Sequence, residues 1–375
     1  MSTNPYNFSI WEQQTYFPYT DFIIIGSGIV GLSTAIFLKE RYPLKKVTVL
    51  ERGILPSGAS TKNAGFACIG SPSELIDDLS KNNSEVVWET VAKRFQGLKR
   101  LRDLLGDEGI GYQELGSHEL FRKKEVFDQS IDALDELNKN MALITGQKNV
   151  FRKSENPSVK FGFNGFEYAI EHKAEGQIDT GKMMQNLIRK ALSLHVELLN
   201  GIEVKQIRDT HVETNIGELK FGKVAVCTNG FAKRILNLND VEPARAQVLV
   251  TKPIESLPFQ GIFHFDEGYY YFRNVGSRIL FGGGRNLDIK GENTFDMQNS
   301  DLIVNELKRI LKIDIIPGVK HEIDFSWAGI MGVGNKKLPI IKAVSEKIYC
   351  GVRLGGMGVA IGVLVGEELA RLMVD

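Results

Sequence analysis

The chain has 375 residues, room for two domains, and its 43% hydrophobic and 25% charged residues are those of an ordinary globular protein. Lys plus Arg and Asp plus Glu number 46 each, so the zero net charge gives no electrostatic reason to expect nucleic acid or an anionic membrane as partner. Cys68, Cys227 and Cys350 stand far apart without CxxC spacing and the six histidines form no metal-ligand pattern, so neither a disulfide framework nor a metal site is expected, and a reducing, cytoplasmic setting is.

Residues 1–20 lack the basic start and apolar core of a secretory signal. The two greasiest stretches, 22–38 and 354–373, are broken by glycines and serines or carry Glu367, Glu368 and Arg371, so neither reads as a membrane span. In chain order, 21–25 (DFIII) is a buried strand ending at Gly26, 29–40 a helix and 46–51 a second strand, a compact βαβ unit. Residues 84–105 and 124–143 have helical periodicity around a strand-like 112–121, which reads as a helical insertion or cap. Residues 161–172 read as strand, and 179–194 as a helix capped by Asp179. Short strands follow at 196–199, 203–208, 211–214, 219–221 and 223–227. From Ala246 the segments look antiparallel (247–251, 261–264, 269–274, 278–283), then a helix at 300–311, a strand at 347–350 and a last helix at 358–373.

Gly26, Ser27, Gly28, Ile29, Val30 and Gly31 form GxGxxG between the first strand and the first helix. Gly26 permits the tight turn, Gly28 lets backbone approach a pyrophosphate, and Gly31 lets helix pack on strand; the helix N-terminus then offers its N–H groups to the phosphates. Glu51, at the end of the second strand, is placed for ribose hydroxyls and argues against a 2′-phosphate, so NADP is disfavoured. Residues 56–66 (PSGASTKNAGF) suit a loop wrapping a phosphate or a flavin edge with backbone N–H groups.

These blocks, with EGQIDTGKM (175–183), VAVCTNGF (224–231), WAGIMG (327–332) and GGMGVAIG (355–362), make the chain resemble the D-amino-acid oxidase/glycine oxidase superfamily of FAD enzymes, including sarcosine oxidase-like and γ-glutamylputrescine oxidase-like members. The resemblance covers nearly the whole chain. It implies an α/β fold: a glutathione-reductase-like Rossmann domain for FAD from residues 1–80, 150–245 and 320–375, and an α+β substrate domain with an antiparallel sheet and helical cap from 81–149 and 246–319. It also implies non-covalent FAD held by the GxGxxG segment, Glu51 and Arg52, and by Ser57, Gly58, Ala59, Ser60, Thr61, Asn63, Ala64, Gly65 and Phe66. Val204 would meet the adenine with its backbone. Thr228, Asn229 and Gly230 would form the turn beside the pyrophosphate. Gly355, Gly356, Met357, Gly358 and Val359 would bring a helix N-terminus to the flavin pyrimidine ring, where reduction places negative charge.

The implied activity is oxidation of the C–N bond of a small amine or amino acid by hydride transfer to flavin N5, with oxygen or another acceptor reoxidising the cofactor. A 2-hydroxy acid as substrate, or a flavoprotein without turnover that serves as an assembly factor, are the alternatives. Tyr269 falls where glycine-oxidase-like members have a tyrosine gripping the substrate carboxylate. Their carboxylate-binding arginine in WAGxR is replaced here by Met331. Arg353 stands where the family has glycine, and either it or Arg285 is a candidate to supply the missing cation, Arg353 at the flavin N1–C2 edge or in the substrate pocket. His264 is the least improbable histidine for a proton-transfer role.

Overall fold

The computed structural model describes residues 6–374; residues 1–5 and 375 of the expected nucleotide domain lie outside the described residues. Its first sheet has the strand order Ile340–Ala343, Ile348–Val352, Gly217–Val226, Thr20–Ile25, Val47–Glu51, Glu197–Asn200. The four strands from Ile348–Val352 to Val47–Glu51 are parallel neighbours, and Glu197–Asn200 extends them in parallel at the edge. Their apolar runs follow from burial on both faces. Phe22 and Ile24 pack among the helices Ile29–Arg41, Thr180–Ser193 and Gly358–Leu372. Ile23 and Ile25, pointing the other way, join Val212, Leu219 and Phe221 of a small meander (Val204–Ile207, His211–Thr214, Gly217–Val226).

The second sheet has the order Ile323–Val333, Glu242–Thr251, Arg278–Gly283, Tyr270–Val275, Ile262–Phe265, Ser117–Phe121, Tyr168–His172, Phe151–Lys153. It is antiparallel apart from the pair Ile262–Phe265 with Ser117–Phe121. One face carries Phe263, Phe272 and Phe281 against the helix Asp301–Ile310; the other, with Tyr271, looks toward the first sheet.

Three sheet memberships differ from the expected domain boundaries. Phe151–Lys153 and Tyr168–His172, expected on the nucleotide side, belong to the second sheet, as does Ile323–Val333. The strand expected over 161–172 starts only at Tyr168, because Pro157–Phe161 forms a helical turn and Gly162 and Gly165 adopt φ of +74° and +75°. The expected cap also divides. Lys124–Thr145 packs on the outer flank of the second sheet, whereas Ser84–Leu105 lays Leu98 and Leu101 into the first core. That helix lies against Gly358–Leu372 at Gly97, where a Cβ would stand 2.3 Å from Ala360 O, so only glycine permits the approach. No described helix is long and apolar enough to cross a membrane.

Candidate active site

The two sheets enclose a cleft of about 990 Å³, at the upper end of ordinary ligand pockets. One end is built where parallel strands of the first sheet finish, at Gly26, Glu51, Cys227 and Leu354, the position at which open α/β sheets bind ligands. Gly26 turns with φ +101°, and a Cβ on it would meet Cys227 O at 3.0 Å. A Cβ on Gly31 would fall 1.9 Å from Gly26 O, so this glycine serves helix-on-strand packing below the cleft. Ser27 is also beneath the surface, its N and Oγ donating to Glu51 Oε2 at 3.1 and 2.7 Å. Gly53 N donates to Glu51 Oε1 at 3.0 Å. Glu51 is thereby fixed at the cleft wall, next to Arg52, whose guanidinium stacks on Phe231 at 3.9 Å.

Gly28, Ile29 and Val30 line the cleft at the start of a helix with no side-chain cap of its own. The loop carrying Ser57, Gly58, Ala59, Ser60, Asn63, Ala64 and Phe66 folds over it, and Ser60 Oγ accepts from Ile29 N at 2.9 Å. Thr61 and Gly65 are in this loop without lining the cleft: Thr61 Oγ1 donates to Gly58 O, and Gly65 takes φ +73° beside Ile178. Val204, Thr228 and Asn229 line the cleft. Gly230 lies behind it, where a Cβ would be 2.4 Å from Met331 O. Gly355, Gly356, Met357, Gly358 and Val359 all border the cleft, at another long helix without a side-chain cap.

Arg353 departs from both roles expected for it. Its guanidinium points away from the cleft: Nη1 pairs with Asp240, and Nε and Nη2 donate to Leu338 O at 3.1 and 2.7 Å. The physical reason lies in its backbone. At φ +66° the residue occupies left-handed space, with its N–H given to Asn229 Oδ1 at 3.0 Å, and the side chain leaves on the side of Asp240.

The other end of the cleft is bounded by the second sheet. Tyr269 and Tyr271 line it, and Arg273 on the same face is buried, donating to Ala64 O at 2.6 Å and to Ile178 O at 3.0 Å. Burial without a carboxylate partner pushes this guanidinium down to about 10. Met331 lines the cleft, its Sδ close enough that a Cβ on Gly356 would be 3.6 Å away. Arg285 lines it too; Nη2 donates to Asn293 Oδ1 at 2.6 Å, while Nε is buried without a partner among the described residues.

Beyond these lies a polar wall whose members come from distant segments, which is why sequence reading did not assemble it. Glu74 Oε1 meets Lys337 Nζ at 2.9 Å and Arg94 Nη1 at 3.3 Å. Burial opposes its ionisation, but the two cations outweigh this and bring its carboxyl to about 2. Glu175, fully buried, accepts from Ile69 N at 2.6 Å, Gly70 N at 3.1 Å and Ser117 Oγ at 2.5 Å. Burial works to raise it too, and the facing His172 and these donors hold it below the usual carboxylate range. Cys68 beside it is a thiol pushed well up by burial and by the Glu175 charge. His264 completes the wall.

The cleft fits a dinucleotide with a flavin. Two long helices begin at it without a side-chain cap from their own N-cap residues, Ser60 Oγ taking only Ile29 N at the first; Thr228 Oγ1 is buried beside it with no partner among the described residues, and the space a Cβ on Gly355 would take is open. Fold and cleft together define a dinucleotide-binding oxidoreductase of the Rossmann class. The DAO family of FAD dependent oxidoreductases matches residues 21–372, and the chain belongs to it. It uses FAD. The β subunit of sarcosine oxidase from Rhizobium meliloti (strain 1021) is 24% identical over 346 residues, 88% of this chain and 78% of that protein. Among solved structures, glycine oxidase from Geobacillus kaustophilus superposes with a TM-score of 0.75 at 20% identity, covering 95% of each chain. L-proline dehydrogenase from P. horikoshii gives 0.73 at 21% identity, covering 95% of this chain and 93% of that one.

Proposed function

We propose that the protein oxidises the C–N bond of a small amine or amino acid with non-covalently bound FAD. The observation that carries this reading is the continuity of the cleft, from the strand ends and helix N-termini to a chamber walled by Tyr269, Tyr271 and acidic side chains. Glu51 would hold ribose hydroxyls, the helix start at Gly28 the pyrophosphate, Val204 the adenine edge, and the helix start at Gly358 the flavin pyrimidine. Bound there, FAD supplies the two-electron acceptor, and the chain contributes orientation, charge and exclusion of water. With Met331 in place of a cation and Arg353 spent on Asp240, Arg285 is the side chain for an anionic group on the substrate, with Tyr269 beside it. The three cysteines are free, consistent with work in the reducing cytoplasm.

The test is anaerobic mixing of the yellow protein with sarcosine, glycine, L-proline, alkylamines and 2-hydroxy acids. Bleaching of the oxidised flavin by an amine supports the reading, and admission of oxygen or an artificial acceptor then identifies the oxidant. Bleaching by hydroxy acids alone replaces C–N with C–O oxidation, and no bleaching with any compound points to a flavoprotein without turnover. Acid precipitation completes it: flavin left in the pellet overturns non-covalent attachment.

A further inference from the structure

His264 is a buried polar side chain for which the described residues supply no hydrogen-bond partner. The residue is 8% exposed and lines the cleft. Its imidazole makes no hydrogen bond to any described residue; Nδ1 is sealed from solvent, which leaves Nε2 as the ring nitrogen open to the cleft. A polar group so placed costs stability unless a ligand or water completes it. Sheet register sets its surroundings. His264 pairs with Tyr271 on one neighbouring strand and with Glu119 on the other, so all three side chains share the face turned to the cleft.

The charges around it select what it meets. Glu175 is an ionised carboxylate with three donors, and the cations of this wall, Arg94 and Lys337, are offset by Glu74 and Asp78. Glu119 is buried, accepting from Ser73, and burial pushes its carboxyl up. Of the other groups here, burial pushes the Cys68 thiol and the Tyr271 phenol up and the His118 and His172 rings down, away from the charged form near neutral pH; Arg285 also lines the cleft, with Nη2 given to Asn293 Oδ1. An ammonium group is drawn to such a wall and an anion is not.

We propose that His264 accepts the proton that the substrate nitrogen must lose before its C–H bond can be oxidised. The proposal rests on the C–N reading above. The N–H bond of the bound ammonium breaks with its electron pair left on nitrogen, and the proton goes to Nε2 of the neutral ring, whose own proton then resides on Nδ1. The step is redox-neutral. It leaves a free amine, whose lone pair assists departure of the neighbouring hydride, and an imidazolium facing Glu119 and Glu175. The receiving nitrogen must offer a lone pair, so a side chain of similar size without a basic nitrogen removes the step.

The experiment is anaerobic stopped-flow reduction of the FAD-loaded full chain by sarcosine, glycine, L-proline and n-butylamine from about pH 6 to 10, in wild type, His264→Gln and His264→Asn. The expected result is a loss of about 100-fold or more in the variants near neutral pH. The loss shrinks as pH approaches the amine's own value of about 10, where free base is supplied by solution, and added imidazole restores part of the rate. Parallel pH profiles in wild type and variants overturn the proposal. A wild type that no amine reduces removes the C–N reading, and the proposal with it, before any variant is compared. Should both variants lose FAD, the wild type still decides by its own profile: a reduction rate that levels off well below the amine's own value of about 10 is expected, and a rate that rises about tenfold per pH unit up to that value, tracking free base alone, overturns the assignment.

Discussion

Arg353 is held by Asp240 across 113 residues of chain, and this pair, with the Leu338 carbonyl, consumes the guanidinium behind the glycine turn that borders the cleft. Only 6% of the Arg353 side chain is exposed. The arginine is therefore a staple for the backbone of 353–356 and not a charge offered to the cleft.

Asp240→Asn is accordingly expected to cost about 1–3 kcal/mol of stability, the value of a charged hydrogen bond with a buried partner, and to leave FAD content and flavin reduction potential unchanged. Thermal melting and a redox titration of the variant check both halves. A shifted potential with an unshifted melting temperature would reverse the assignment.

Gly28→Val should abolish FAD binding, because a Cβ there stands 2.9 Å from Ser60 Oγ and further branches enter the space where backbone and phosphate meet. Tyr269→Phe keeps the ring and the strand and should retain full flavin content while weakening substrate. The ratio of flavin to protein absorbance after gel filtration separates the two.

Arg285→Met should weaken substrates that carry a carboxylate by about 1.5–3 kcal/mol, the value of a charged hydrogen bond. Simple amines of the same size should bind as before. The measurement is the amine-to-amino-acid ratio of apparent Kd for flavin reduction, with Asn293→Ala as a companion that frees the guanidinium without removing it.

Against burial, Arg94 and Lys337 hold the Glu74 carboxyl at about 2 in the folded protein, below its ordinary value of about 4.5. Its contribution is fully present above the unfolded value and is lost as pH falls through the interval between them, amounting to as much as about 3 kcal/mol. Urea unfolding between those limits should show stability falling with acid in wild type. Glu74→Gln should be weaker near neutrality and less steep in acid, and equal slopes would mean that the Arg94 and Lys337 contacts carry no such linkage.

What could be read in the sequence was local chemistry. The βαβ unit stood out because glycines at 26, 28 and 31 have no substitute there, and the Asp179 cap accepts from Lys182 N at 2.9 Å, as a capping residue should. The long strand Ile323–Val333 was missed because Gly329 and Gly332 interrupt its alternation, and they do so to admit Lys62 and Asn229 from other elements. Helix Ser84–Leu105 matched to the residue, but its place against the last helix depends on Gly97 and Ala360, which no periodicity connects. The site divided along the same line. The residues expected to hold the cofactor lie in contiguous blocks, whereas His264, Glu175, Glu74 and Arg94 come from four separate segments, brought together by the second sheet's register and the tie of Glu175 to Ile69 and Gly70.

The clip from Arg273 to Ala64 O and Ile178 O fastens the loop over the start of helix Ile29–Arg41 to the second sheet, which walls the other end of the cleft. No described carboxylate bonds its guanidinium directly: two backbone carbonyls accept from it, and the Asp179 charge favours the buried cation from a distance. One side chain thus ties residues 63–65 and 178 to the strand that also bears Tyr271, so the two walls of the cleft are joined at this arginine.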